Sequence, residues 1–465
     1  MPMASLSRWT MSYFAAALTF LLAAEFLTAA GVGYPAAGLS APATLFVVHL
    51  VAIGWLSLAM AGALLQFVPV LVSRPLAFPH FALPTLAALI AGLLLLDAGF
   101  AALAGWIEAS LDFLPLAAAF LLAGFSLLGL MLVTTLLSAR PVTLFARFVV
   151  IGLACLAATV LSGAAFTTLL SGRGGWLGSV ALLPHGLPFH ALLGLGGWLG
   201  LIAFGVSYRL FVMFMMAPEP PERRVRPVLL LAGLGLSLAF AGLAAPFAGI
   251  EPGAAWVAAA LTVLAMAGLL YGRDILGLYR ARRRKALDIS MRASIPAFAA
   301  LGLGLALLPV AIIAGAGDGL IAALVFLLVF GWLGGLTLAQ LVKIVSFVTW
   351  LETYAPRLGR GPAPRIGDLV AMPRTGRWLL LYDGGVALGA TALAAGVAGG
   401  FRSAMALCLA GTAGLVAELI RIRRLSEINV ADRPPVHERP RLLAARAEKR
   451  KPIHADPGNI AHPRA

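Results

Sequence analysis

Twelve times along this chain an apolar run reaches the roughly 20 residues that a helix needs to cross a bilayer. The runs lie near 11–31, 43–71, 79–104, 112–138, 142–170, 186–216, 226–248, 254–276, 291–314, 319–350, 376–399 and 403–424. In lipid a spanning segment must satisfy its own backbone groups, which leaves the α-helix as the form each run takes. The expected fold class is therefore an all-α polytopic membrane protein with twelve transmembrane helices. The first run is too long for the apolar part of a signal peptide, and no soluble domain follows it, so it is expected to remain as a helix. At 465 residues the chain could hold two or three soluble domains, but 61% hydrophobic and 11% charged residues exclude that reading.

The formal charge of +15 is distributed by side. Arg74, Arg140 with Arg147, Arg223-Arg224-Val225-Arg226, the run Arg280 to Lys285 and the stretch Arg357 to Arg377 fall in alternate loops, joined by Arg8 and by Arg421 to Lys451. The other loops hold Glu108, Asp112, Glu251 and Asp318, with only Arg173 and Arg402 as basic residues. Lys and Arg gather on the cytoplasmic side of membrane proteins, so both termini are expected in the cytoplasm and the membrane is expected to be a bacterial inner membrane. The charge thus speaks of a lipid bilayer as partner and not of nucleic acid. Residues 1–425 form the expected membrane domain, and 426–465 a disordered basic tail.

A short pattern recurs on spans 2, 6 and 10. Gly54-Trp55-Leu56 is followed by Gln66, Gly197-Trp198-Leu199 by Arg209 and Gly331-Trp332-Leu333 by Lys343, each polar residue eleven after its Trp. A small residue, Gly62, Gly205 or Ala339, stands seven after it. Seven and eleven residues are each close to whole helical turns, so Trp, small residue and polar tip share one stripe. The spacing predicts an internal repeat of four helices used three times, near 11–138, 142–276 and 291–424, with the units parallel. A fourth match, Gly175-Trp176-Leu177, lies in a polar loop and lacks the later residues.

Few side chains within the spans carry chemistry, and each is a candidate by default. His49 stands six residues before Trp55, His190 eight before Trp198, and His185 at the mouth of span 6. All three are expected on the outer side, whereas His80 begins span 3 on the inner side. An imidazole with a free ring nitrogen ligates haem iron or copper, while the same residue at a helix end also serves as an interfacial hydrogen-bonding group. Gln66, Arg209 and Lys343 read either as side chains reaching the phosphates or as a polar cluster on the central axis. Glu25 and Asp97 read as proton carriers or as groups reaching the outer interface, Asp383 as a cap on a helix break, and Glu418 as a partner of Arg421 and Arg423. Cys155 and Cys408 are expected in the core.

These residues resemble subunit I of the haem-copper oxidases and nitric oxide reductases. Three parallel four-helix units, His49-Leu50-Val51-Ala52-Ile53-Gly54-Trp55-Leu56, Pro188-Phe189-His190-Ala191-Leu192-Leu193-Gly194 and Phe347-Val348-Thr349-Trp350-Leu351-Glu352-Thr353-Tyr354 carry the likeness. The resemblance implies a cytochrome c oxidase subunit I-like fold, with His49 in the place of a low-spin haem ligand and His190 on the helix that supplies a copper ligand. The family's histidine pair on span 7 and His-x-His on span 10 have no counterparts, since no histidine stands between His190 and His437. Copper is not expected, nor is reduction of oxygen or nitric oxide by the family's mechanism. What the likeness leaves is one haem at His49, for electron transfer, sensing or an accessory role beside respiratory or haem-handling proteins, or no cofactor at all. A twelve-helix transporter or channel, with Pro296 and Pro309 as the best candidates for a broken helix, and metal handling by His49, His185 and His190 are the alternatives.

Overall fold

A computed structural model describes residues 9–108, 112–173, 183–358 and 363–443. All regular elements among the described residues are helical. Twelve long helices follow one another: α1 Thr10–Ala29, α2 Pro42–Val72, α3 Ala82–Leu103, α4 Phe113–Leu137, α5 Leu144–Leu170, α6 Leu183–Met215, α7 Glu222–Ala244, α8 Ala254–Ala281, α9 Ile289–Ile313, α10 Asp318–Thr353, α11 Met372–Ala394 and α12 Ala398–Arg423. All except α11 are long and apolar enough to cross a membrane. The 23-residue α11 has the length but carries Arg374, Arg377 and Asp383. Short connections place successive helices antiparallel, so the basic loops gather at one end of the bundle and the acidic loops at the other.

The three Trp helices are the longest and stand at the centre. Each contains a π-helical stretch around its Gly-Trp-Leu: Leu50–Ser57 in α2, Leu192–Leu201 in α6 and Leu327–Gly334 in α10. The wider π turn holds one extra residue and appears mostly where a helix has a special duty. Glycine lets the neighbours close on these turns. A Cβ at Gly54 would lie 2.7 Å from Phe20 of α1 and 2.8 Å from Leu93 of α3. At Gly197 it would meet Cys155 of α5 at 2.5 Å and Leu236 of α7 at 3.2 Å, and at Gly331 it would meet Ala300 of α9 at 2.8 Å and Val386 of α11 at 3.4 Å. Each central helix is thus gripped by the helix before it and the helix after it. Without a hydrophobic drive between helices in lipid, such close approach supplies the packing energy.

The indoles close a ring about the axis. Trp198 donates from Nε1 to Ser57 Oγ at 2.9 Å. The ring of Trp332 covers Gly200, whose Cβ would lie 3.1 Å from it. Trp55 reaches Gly334, where a Cβ would stand 3.8 Å from its Nε1. Ser57, Gly200 and Gly334 each follow their own Trp by two residues. The three indoles are 1%, 2% and 5% exposed for Trp55, Trp198 and Trp332, so the axis is filled rather than open.

Several details differ from expectation. α11 runs unbroken through Asp383, which therefore caps nothing, and α9 continues through Pro296 and Pro309. Glu418 pairs with Arg374 of α11, 2.9 Å from Nη2, rather than with Arg421 or Arg423. Glu427, 2.7 Å from Arg374 and 3.0 Å from Arg421, has its carboxyl held below the usual glutamate range by those two guanidiniums. The segment after α12 folds back on the basic end. Arg423, 4% exposed, donates to Thr349 Oγ1 at 3.0 Å, to Glu352 Oε2 at 2.8 Å and to the Arg441 carbonyl. Ser12 donates to the carbonyl of Leu443 at 3.2 Å. Residues 426–443 are thus held where the sequence predicts a free chain; the rest of the tail, with His454 and His462, lies outside the described residues. Gly175-Trp176-Leu177 does too.

Candidate functional site

The π turns also place the two histidines. His49 ends the α-helical part of α2, one residue before its π stretch, and His190 lies two residues before that of α6. His49 Nδ1 is 2.8 Å from the carbonyl of Leu45, one turn back. A carbonyl only accepts, so Nδ1 carries the proton and Nε2 presents its lone pair. The ring rests on Phe100 of α3, with centroids 5.2 Å apart. His190 Nδ1 is 2.9 Å from Ser162 Oγ on α5, and that hydroxyl is 3.0 Å from the Thr159 carbonyl. With the Ser162 proton given to Thr159, Nδ1 donates to Oγ. Phe166 flanks this ring at 5.5 Å, and Gly163 leaves room for it, since a Cβ there would stand 3.2 Å from Cε1. The two imidazoles are close enough for a charge on one to act on the other.

α10 holds a place equivalent to that of His49, and it is filled differently. Phe326 stands six residues before Trp332, as His49 does before Trp55. It stacks on Phe330 at 4.7 Å, meets Phe401 edge-on at 5.4 Å and covers Gly389. Phe326 and Phe330, one turn apart, complete an apolar contact there. The donor set therefore fits one imidazole–iron bond from His49 and offers none from α10. A copper centre needs several donors together. Among the described residues no three of His, Cys, Asp and Glu lie close enough to share a metal ion, so His185 does not join His49 and His190 in one.

Asp97 lies beside this site. It is 4% exposed, and neither carboxyl oxygen has a hydrogen-bond partner. Leu93, Asp97 and Phe100 form one stripe of α3; Leu93 meets Gly54 and Phe100 meets His49, so Asp97 sits between these contacts. On the other flank a cavity of about 270 Å³ opens between α5, α6 and α7, lined by Ser162, Phe166, Gly186, Phe240 and Phe247 among others. Its wall is almost wholly apolar, and Ser162 and Phe166 stand between it and His190.

The other singled-out residues lie apart. Arg209 pairs with Glu219 and lies over Phe145. Lys343 is 2.6 Å from Asp288 and lies over Phe214. The Gln66 amide nitrogen is buried without an acceptor. The three occupy equivalent depths, but the two cations are each taken by their own acid, so no shared polar cluster forms among them. His80 packs on Phe81 at the basic end. Cys155 and Cys408 are free and buried against Gly197 and Gly385. Sequence reasoning missed Ser57, Ser162, Phe100 and Phe326. Only Phe326 had a readable signal, its spacing of six from Trp332.

No family model matches the chain, and no curated protein does. A solved structure of similar fold is the cryo-EM structure of a heme-copper terminal oxidase dimer, which superposes with a TM-score of 0.61 over 90% of this chain and 83% of that one, at 12% sequence identity. The fold is that of a haem-copper oxidase subunit.

Proposed function

We propose that this chain is a haem-copper-oxidase-fold protein of the bacterial inner membrane that has no binuclear centre and holds a single haem through His49. The observation that carries the reading is the Nδ1 bond to Leu45, which fixes the tautomer and turns Nε2 into a ligand nitrogen. A haem there would supply one-electron chemistry or an iron able to bind a small gas. The chain's own part is to orient the imidazole with Leu45 and Phe100 and to hold His190 nearby on Ser162 as a second, neutral base. The phenyl pair Phe326–Phe330 leaves α10 without an iron ligand, which argues for electron transfer, sensing or an accessory role over oxygen or nitric oxide reduction. Three π turns on the same Gly-Trp-Leu, each gripped by its flanking helices, support an internal repeat of three four-helix units. The basic end supports termini in the cytoplasm, beside respiratory or haem-handling partners.

The test is an absorption spectrum with metal analysis on protein purified from haem-replete cells. A Soret band that His49→Ala abolishes, with the protein still folded, is the expected result. A colourless wild-type protein, or a band indifferent to His49, overturns the reading.

A further inference from the structure

Glu25 stands on the opposite flank of the bundle from His190. It is fully buried on α1, and its Oε1 accepts a hydrogen bond from Thr412 Oγ1 of α12 at 2.9 Å. Its Oε2 is equally buried and has no partner. Cys408, one turn before Thr412 on α12, reaches the Tyr382 carbonyl of α11 at 3.7 Å. Tyr382 spends its hydroxyl on the Phe330 carbonyl at 2.9 Å, in the π turn of α10. Next to that hydroxyl, Trp55 Nε1 is a buried donor with no acceptor.

The basic groups on the packed helices are engaged elsewhere. Arg402 of α12 donates to the carbonyls of Ala29 and Ala30 at the far end of α1. Arg423 is tied to Thr349, Glu352 and Arg441, and Glu418 is tied to Arg374. His49 on α2 is bonded to Leu45. No salt bridge reaches Glu25 or Asp383 among the described residues. An ionised Glu25 thus has one hydrogen-bond donor and no countercharge in an apolar interior, and a neutral one has a hydroxyl with no protein acceptor. Neither state is complete without an exchangeable guest. Two carboxyl oxygens and one hydroxyl are too few to replace the shell of a metal cation, which leaves the proton, carried with water.

We propose that Glu25 is a proton-exchange site inside the membrane. The step is a bare transfer: Glu25 releases a proton from its carboxyl oxygen to water, which becomes hydronium, and the reverse reloads it, with no electron moved. The site shares no residue with the His49 site and does not depend on haem.

Infrared difference spectroscopy of the full chain in lipid nanodiscs tests this, comparing acid with alkaline buffer in H2O and D2O. A carboxylic C=O band that changes with pH, moves on deuteration and vanishes in Glu25→Gln is the expected result, with Asp97→Asn as a control that leaves it in place. Thr412→Val should raise the frequency of the same band by removing its hydrogen bond, and this arm stands if Glu25→Gln does not fold. A band that ignores pH and deuterium, or that survives Glu25→Gln or ignores Thr412→Val, overturns the site.

Discussion

α2 and α10 are built alike around their tryptophans and differ six residues earlier. Both turn to a π helix at Gly-Trp-Leu, and both are gripped at the glycine by the helices before and after. In α2 the turn is preceded by His49, tied to Leu45 and resting on Phe100. In α10 it is preceded by Phe326, stacked on Phe330 and edge-on to Phe401. The frame and the chemistry are therefore separable. Packing at the glycines and indoles is demanded by the fold, whereas the residue six before the tryptophan must only fill its space. A fold can keep the first and exchange the second without structural cost.

The comparison breaks most severely if the frame is attacked. Trp198→Ala removes a buried indole from the ring and should destabilise the bundle by about 3–5 kcal/mol, measured as a lowered midpoint in thermal unfolding followed by size-exclusion chromatography. Ser57→Ala touches the frame more lightly. It strands the Trp198 N–H in the core and should cost about 1–3 kcal/mol, while Ser57→Thr, which keeps the hydroxyl, should recover part of the loss. Exchanging the ligand places should matter least to stability. His49→Phe, making α2 resemble α10, should shift stability by less than about 1.5 kcal/mol and abolish the Soret band of protein from haem-replete cells. Phe326→His, making α10 resemble α2, should raise haem content or change the coordination seen in the spectrum. If His49→Phe unfolds the protein as Trp198→Ala does, the separation of frame from chemistry is wrong.

Much of the frame was legible in the sequence because membrane spans advertise themselves. Apolar runs set the helices, and three Gly-Trp-Leu stretches marked the central ones. What stayed hidden depends on backbone geometry or on which partner wins. Nothing in side-chain order announces a π turn, because Leu50 to Ser57 reads as any apolar helix. Ser57 looked like an ordinary small residue until the indole of a helix 141 residues away was set against it. Glu418 had near neighbours Arg421 and Arg423 in the sequence, yet Arg374 reached it from another helix. For the site, His49 and His190 were readable by residue type and depth. Their orientation was not, since it rests on a carbonyl one turn back and on a serine of another helix.

The indole ring has a consequence for what the chain can lose. Each tryptophan leans on the preceding tryptophan-bearing helix: Trp198 on Ser57, Trp332 on Gly200, and Trp55, round the circle, on Gly334. This is a head-to-tail contact, the kind that either runs on without end or closes at a number fixed by its rotation. Here it closes at three. A chain ending after α8 would leave Trp55 with no shelf and Gly200 with no cover, two raw edges along the axis. The last four helices carry no imidazole at the ligand place, yet they are the keystone of the circle, and the first eight cannot close without them.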